Sequence, residues 1–197
     1  TAAQAMVRCL QAEGIQTVFG LPGAAICPFY DALSKTDIRH ILVRQEQNAG
    51  HAASGYARLT KKPAVCIATS GPGALNLITA VATAYMDSIP LVVITGQVSS
   101  ELLGRDVFQE ADISGSCEPF VKHSYLVKNA ADIPRIMKEA FHIAGTGRQG
   151  PVLIDVPTDI QMEKIRFSYP ETVDIRSYKP NFVGHPGQIK RLVTALA

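Results

Sequence analysis

Ile41-Leu42-Val43-Arg44-Gln45-Glu46-Gln47-Asn48-Ala49-Gly50-His51-Ala52-Ala53-Ser54-Gly55-Tyr56-Ala57-Arg58 runs from a short apolar strand into a helix of small residues. A single carboxylate, Glu46, stands at the junction. A junction of this kind lies at the carboxyl end of a strand, where open α/β sheets place their ligands. The Ala, Gly and Ser residues that follow would let another backbone or a flat ligand approach the helix closely. The plain alternative is a carboxylate that favours the positive end of a helix dipole, worth about 0.3–1 kcal/mol. The segment alone leaves both readings open.

The same strand-then-helix rhythm extends in both directions. Short β-branched runs are expected to form strands at 17–20, 38–43, 64–69, 91–95, 124–127 and 152–156, with helices at 2–13, 25–34, 47–59, 72–85 and 133–145. This alternation predicts an α/β fold with an open, mostly parallel sheet and helices on both faces. Residues 97–118 are long for a connection and predict a functional loop with a short helix. Beyond Asp159 the pattern gives way to polar, proline-bearing sequence and then to an amphipathic stretch, 188–197, with nothing to pack against. The start at Thr1 without a methionine and the abrupt stop at Ala197 read as a segment cut from a longer chain.

Composition narrows the function classes. The 197 residues are 47% hydrophobic and 18% charged, which suits one domain with an ample core. Nineteen Lys and Arg against seventeen Asp and Glu give a net charge of +2, with no basic run or patch to hold nucleic acid. No apolar stretch is long enough to span a membrane, and no secretory signal is present. Cys9, Cys27, Cys66 and Cys117 show no metal-ligand spacing, so a reducing, cytoplasmic setting and no metal site within this chain are expected. His40, His51 and His142 are scattered, Lys61-Lys62 reads as a solvated turn, and Asp155 reads as a strand-end turn or cap residue.

Two glycine turns flank the Glu46 segment. Gly20-Leu21-Pro22-Gly23-Ala24-Ala25 is a strand-to-helix turn but not a dinucleotide fingerprint, since only Gly20 and Gly23 are glycine. Ser70-Gly71-Pro72-Gly73 with Asn76 opens a second helix, and by residue type alone such a turn could cradle an anion. Phe108-Gln109-Glu110 sits in the long loop, where an aromatic beside an amide suits either ligand stacking or tacking the loop down.

These motifs, with Thr95-Gly96-Gln97-Val98 and Gly150-Pro151-Val152-Leu153-Ile154-Asp155-Val156-Pro157, occur in one order along the chain. Together they resemble the amino-terminal, pyrimidine-binding domain of thiamine diphosphate enzymes, and within them the catalytic subunit of the biosynthetic acetolactate (acetohydroxyacid) synthase family. The resemblance implies decarboxylation of pyruvate and transfer of the two-carbon unit to a second 2-keto acid, in branched-chain amino-acid synthesis. Glu46 then matches the glutamate that hydrogen-bonds N1′ of the aminopyrimidine. Pro22, Pro72, Asn76 and Gln109 match cofactor contacts. Ala24, Ala25, Phe108 and Lys122 match the substrate channel, and Arg148 with Ser88 the FAD contacts. Mg²⁺ and the diphosphate are expected on a carboxy-terminal domain that these residues do not include, so the segment alone is expected to be inactive. The implied organisation is a pyrimidine-binding domain over 1–165, an interdomain linker over 166–187 and the truncated start of a central domain over 188–197. A homodimer or homotetramer is implied, with room for a regulatory subunit.

Three positions depart from the family pattern: Leu21 for tyrosine, Ala24 for glycine and Thr158 for lysine. The rival readings are another thiamine diphosphate decarboxylase or lyase, or a non-catalytic α/β binding domain.

Overall fold

A computed structural model describes residues 1–197. Its elements run α1 (Ala2–Ala12), β1 (Thr17–Gly20), α2 (Cys27–Leu33), β2 (Arg39–Leu42), α3 (Glu46–Thr60), β3 (Ala64–Ala68), α4 (Pro72–Leu75) and α5 (Ile78–Met86). They continue with β4 (Leu91–Gln97), α6 (Ile113–Cys117), β5 (His123–Leu126), α7 (Ile133–Gly145), β6 (Val152–Pro157), α8 (Thr158–Met162) and α9 (Pro186–Leu196). The six strands form one sheet in the order β2-β1-β3-β4-β6-β5, and every pairing is parallel. The expected α/β class holds.

The central strands read as unbroken apolar runs because both faces are covered. Alternate side chains go to opposite cores. Val65, Ile67, Val92, Ile94, Val152 and Ile154 pack with α1, α2 and α7, whereas Cys66, Ala68, Val93 and Leu153 pack with α3, α5 and α6. Small residues on α3 set how closely it lies. A Cβ at Gly50 would stand 2.5 Å from that of Ala80 on α5, so the two helices nearly touch.

One expectation needs correction. The helix expected over 72–85 is two helices, broken where Asn76 closes α4 and Leu77 precedes α5. Asn76 there donates from its side-chain amide to Glu46. The stretch after Asp159 begins with a short helix, α8, and then runs extended against the body of the domain. Arg8 lies over the Phe167 ring at 4.1 Å, and the Tyr169 hydroxyl donates to Glu13 Oε1 at 2.7 Å. The Tyr178 hydroxyl donates to the Thr146 carbonyl at 2.7 Å. Three aromatic side chains thus pack the segment expected to be a linker against the domain. From Asn181 onward every residue is exposed, α9 included.

Candidate functional site

Between β1 and β3 the chain reverses its direction of building: β2 lies to one side of β1 and β3 to the other. The loops leaving the carboxyl ends of two such strands diverge and open a crevice. Into this region come the 21–26 turn after β1, Glu46 at the first position of α3, and the 69–76 turn after β3.

Glu46 is only 8% exposed although it begins a helix. Its Oε2 accepts a hydrogen bond from Asn76 Nδ2 at 2.9 Å, the only hydrogen bond its carboxylate makes within the chain. The Oε1 atom faces Gly73, where a Cβ would stand 3.2 Å from Oε1 and 2.7 Å from Thr69 Cγ2. Glycine at 73 therefore keeps one carboxylate oxygen approachable while asparagine holds the other. Thr69 ties the two turns together, since its Oγ1 accepts from the Ala25 backbone N–H at 3.2 Å. No motif assigns Thr69 a role; the available signal is a hydroxyl at the carboxyl end of an otherwise apolar strand. Pro22, Ala24, Pro72 and Asn76 are exposed around this group, while Ala25 is buried.

The long loop reaches the same edge. Gln109 adopts a positive φ of 59°, and its backbone packs against Gly71, where a Cβ would stand 2.5 Å from the Gln109 carbonyl oxygen. Phe108 beside it is 86% exposed, so it does not tack the loop to the core. Glu110 staples the loop internally by accepting from the backbone N–H groups of Gly104 and Val107, which hold its carboxyl below the usual range. The short α6, expected within this loop, is capped by Asp112, whose Oδ1 accepts from Gly115 N–H at 2.8 Å.

Asp155 departs from its expected role as a strand-end cap. It sits inside β6, 2% exposed, and accepts from Thr95 Oγ1 at 2.7 Å and from Gln97 Nε2 at 3.0 Å. Burial pushes its carboxyl from 3.8 up to about 7, with the two hydrogen bonds opposing and Asp112 adding to the rise. The folded chain thus holds this proton more tightly than the unfolded chain. Stability should fall as pH rises from 3.8 to about 7 and level off beyond. The slope approaches about 1.4 kcal/mol per pH unit where only the folded state keeps the proton. Asp155→Asn should remove that contribution. Urea unfolding of parent and variant across this pH range checks it, and parallel pH curves for the two proteins would contradict it.

Three of the expected site residues lie elsewhere. Lys122, just before β5, is at the amino edge of the sheet, where its Nζ donates to the carbonyls of Ile143 and Thr146 and to the Tyr178 hydroxyl. It secures the last turn of α7 and does not join Glu46. Arg148 and Ser88 are brought together, Nε to Oγ at 2.9 Å, but at that same amino edge, where Arg148 also reaches the Tyr85 carbonyl. Thr158, where the resembled family commonly has lysine, turns inward and donates to the Gln97 carbonyl at 2.9 Å. A cleft of about 480 Å³ beside α1, lined by Arg8, Gln11, Lys35 and Phe167 among others, contains no carboxylate, imidazole or thiol. No group of three or more His, Cys, Asp or Glu side chains gathers anywhere in the chain to hold a metal ion. No helix is long and apolar enough to cross a membrane.

Comparison of the sequence with known proteins places the chain in a family. Residues 1–116 match the family model described as the thiamine pyrophosphate enzyme, N-terminal TPP binding domain. The chain is 52% identical over 198 residues to the acetolactate synthase of Mycobacterium bovis, covering 100% of this chain and 32% of that protein. It is 53% identical over 194 residues to the acetolactate synthase large subunit of Corynebacterium glutamicum (98% of this chain, 31% of that protein). It is 51% identical over 197 residues to the large subunit of Haemophilus influenzae (98% and 34%). The chain spans about a third of the length of the curated relatives it matches.

Proposed function

This chain belongs to the thiamine pyrophosphate enzymes as an N-terminal cofactor-binding domain, and from that premise we propose that it is the pyrimidine-binding part of an acetolactate synthase, with Glu46 as its catalytic carboxylate. The observation that carries the reading is the division of labour on Glu46. One oxygen is fixed by Asn76 and the other lies open over Gly73, in a nearly solvent-free position. A planar aminopyrimidine suits that arrangement because the residue at 73 has no side chain to cover the second oxygen.

When bound, thiamine diphosphate supplies the carbanion chemistry by which a 2-keto acid such as pyruvate loses carbon dioxide and its two-carbon unit joins a second keto acid. The protein's part is protonic and positional. Glu46 Oε1 would hold and return a proton to a ring nitrogen brought within hydrogen-bond distance, the role of a general acid and base. Asn76 keeps the carboxylate aimed. The exposed Pro22, Pro72, Phe108 and Gln109 form the surface from which cofactor and substrate are contacted, with Ala24 and Ala25 bordering the approach. Lys122 reaches a channel only where another domain or chain is brought to the amino edge.

Following the family resemblance, the reading places the metal and the diphosphate on a further domain. Arg148 keeps its NH1 without a protein partner. An FAD phosphate or carbonyl meeting Arg148 and Ser88 would therefore lie at the amino edge, away from Glu46. The reading keeps residues 1–165 as the domain, 166–187 as the connection and 188–197 as the start of a central domain, with a cytoplasmic homodimer or homotetramer and a regulatory subunit as its partners.

The test is acetolactate formation from pyruvate by the full-length protein, dependent on added thiamine diphosphate and Mg²⁺. No product under saturating cofactor would overturn the reading. The 197 residues alone should form none; turnover by them would overturn the placement of the metal half elsewhere.

A further inference from the structure

The Gln97 side chain binds the long loop at both of its ends. Its Oε1 accepts from the Val98 backbone N–H at 2.9 Å, where the loop leaves β4. Its Nε2 donates at 2.9 Å to the carbonyl of Ala111, where the loop meets α6. The same Nε2 donates at 3.0 Å to Asp155 Oδ2, and Thr95 Oγ1 donates to the other oxygen at 2.7 Å. Gln97 and Asp155 are each 2% exposed and Thr95 is fully buried, so water does not compete for these bonds. The groups of this network close the 98–111 loop into a ring at its base.

The loop's far side carries Phe108 and Gln109 onto the Gly71 turn, next to the residues that surround Glu46. Between base and tip it is braced twice more. Ser100 N–H donates to Asp159 Oδ1 at 2.9 Å, and Glu110 accepts from Gly104 and Val107. Neither the Gln97 nor the Asp155 side chain reaches the exposed surface around Glu46, and the bonds of the Gln97 side chain lead there through the loop.

We propose that Gln97, oriented by the buried Asp155 and Thr95, is a positioning residue that fixes the 98–111 loop and thereby sets Phe108 and Gln109 over the Glu46 site. An amide is required because one side chain must accept at one end of the loop and donate at the other. A carboxylate beneath it is the acceptor that holds the Nε2 hydrogens in place. The groups facing Asp155 are Thr95 and Gln97 from β4, and Asp112 and the buried Cys117 thiol of α6. The kinetic part of this inference rests on the acetolactate synthase reading; the structural part does not.

The hydrogen bonds distinguish the variants. Gln97→Leu keeps the bulk and loses both loop bonds, and Asp155→Ala leaves the amide without its acceptor. Asp155→Asn can keep its carbonyl on Gln97 and turn its amide to the Thr95 hydroxyl, which both donates and accepts. In the full-length protein, hydrogen exchange of the 98–111 amides should accelerate at least about tenfold in Gln97→Leu and Asp155→Ala, with β3, β4 and β6 protected as in the parent. kcat for acetolactate formation should fall about ten- to a hundredfold in those two, with thiamine diphosphate affinity changed less than about threefold. Asp155→Asn should retain loop protection and kcat to within about threefold.

Loop exchange in Gln97→Leu within about twofold of the parent would overturn the proposal, whatever the kinetics. So would an Asp155→Asn protein as impaired as Asp155→Ala, or a loosened loop with kcat unchanged. If the unmodified full-length protein forms no acetolactate, the reading of the preceding section fails, and the exchange result alone decides whether Gln97 fixes the loop.

Discussion

Glu46→Gln in the full-length protein should lower acetolactate turnover by about two to four orders of magnitude, the usual contribution of a positioned acid–base group. The unfolding free energy should stay within about 1 kcal/mol of the parent, because the change is isosteric. Glutamine can still accept the Asn76 bond through its carbonyl oxygen, so the side chain should keep its place at the start of α3. What changes is the atom over Gly73. An acceptor able to hold and return a proton becomes an amide that can only donate, and the ring nitrogen it meets loses its partner. Steady-state kinetics at saturating thiamine diphosphate, paired with urea unfolding, separates the two effects. If the domain were a non-catalytic binding module, the substitution would touch stability alone. Turnover within about threefold of the parent would remove Glu46 from the mechanism.

How much of this was legible in the sequence follows from where each residue's partners lie. The six strands were legible because a parallel sheet covered on both faces demands unbroken apolar runs, and Val65-Cys66-Ile67-Ala68 serves both cores at once. The place of Glu46 at the junction of strand and helix was legible, whereas its role as a site carboxylate came from the family resemblance and not from the segment. Asp155 was not legible. A carboxylate near the end of an apolar run looks like a strand terminus, and its partners Thr95 and Gln97 lie 60 and 58 residues earlier in the chain. The polar residues inside β4 and β6 were the available signal, since buried polar groups seek one another.

The placing of Lys122 and of the 164–180 segment depended on tertiary contacts that no local pattern announces. A lysine before a strand can face a channel or cap a helix, and within this chain its Nζ meets three acceptors at the end of α7 and on Tyr178. Proline and polar residues mark 164–180 as irregular, correctly. Whether an irregular segment swings free depends on side chains such as Phe167, Tyr169 and Tyr178 finding Arg8, Glu13 and Thr146 on distant helices. Resemblance to a family carried residue types to this site, while the bonds that hold its loops in register came only with the fold.

Gly71→Ala should combine a large loss of stability with a loss of the site, for two independent reasons. The residue has φ 57° and ψ −125°, close to the first central position of a type II′ turn, which an L side chain rarely adopts. Strain of that kind costs about 1–3 kcal/mol. The added Cβ would also stand 2.5 Å from the Gln109 carbonyl oxygen and 2.9 Å from its Cα, and these are backbone atoms that cannot swing aside. Overpacking of this severity adds about 1–3 kcal/mol, so a total near 4 kcal/mol is expected if the turn keeps its shape. The chain can relieve the contact by letting the Gln109 segment lift away from the turn. Then stability would fall by the strain alone, while Phe108 and Gln109 would leave the Glu46 site. Both routes lower turnover, and hydrogen exchange tells them apart: the first weakens protection across the sheet, the second only across 98–111. A variant with parent-like unfolding and parent-like loop exchange would mean that the 69–76 turn and the long loop do not meet as the structure places them, and that the site around Glu46 is assembled differently.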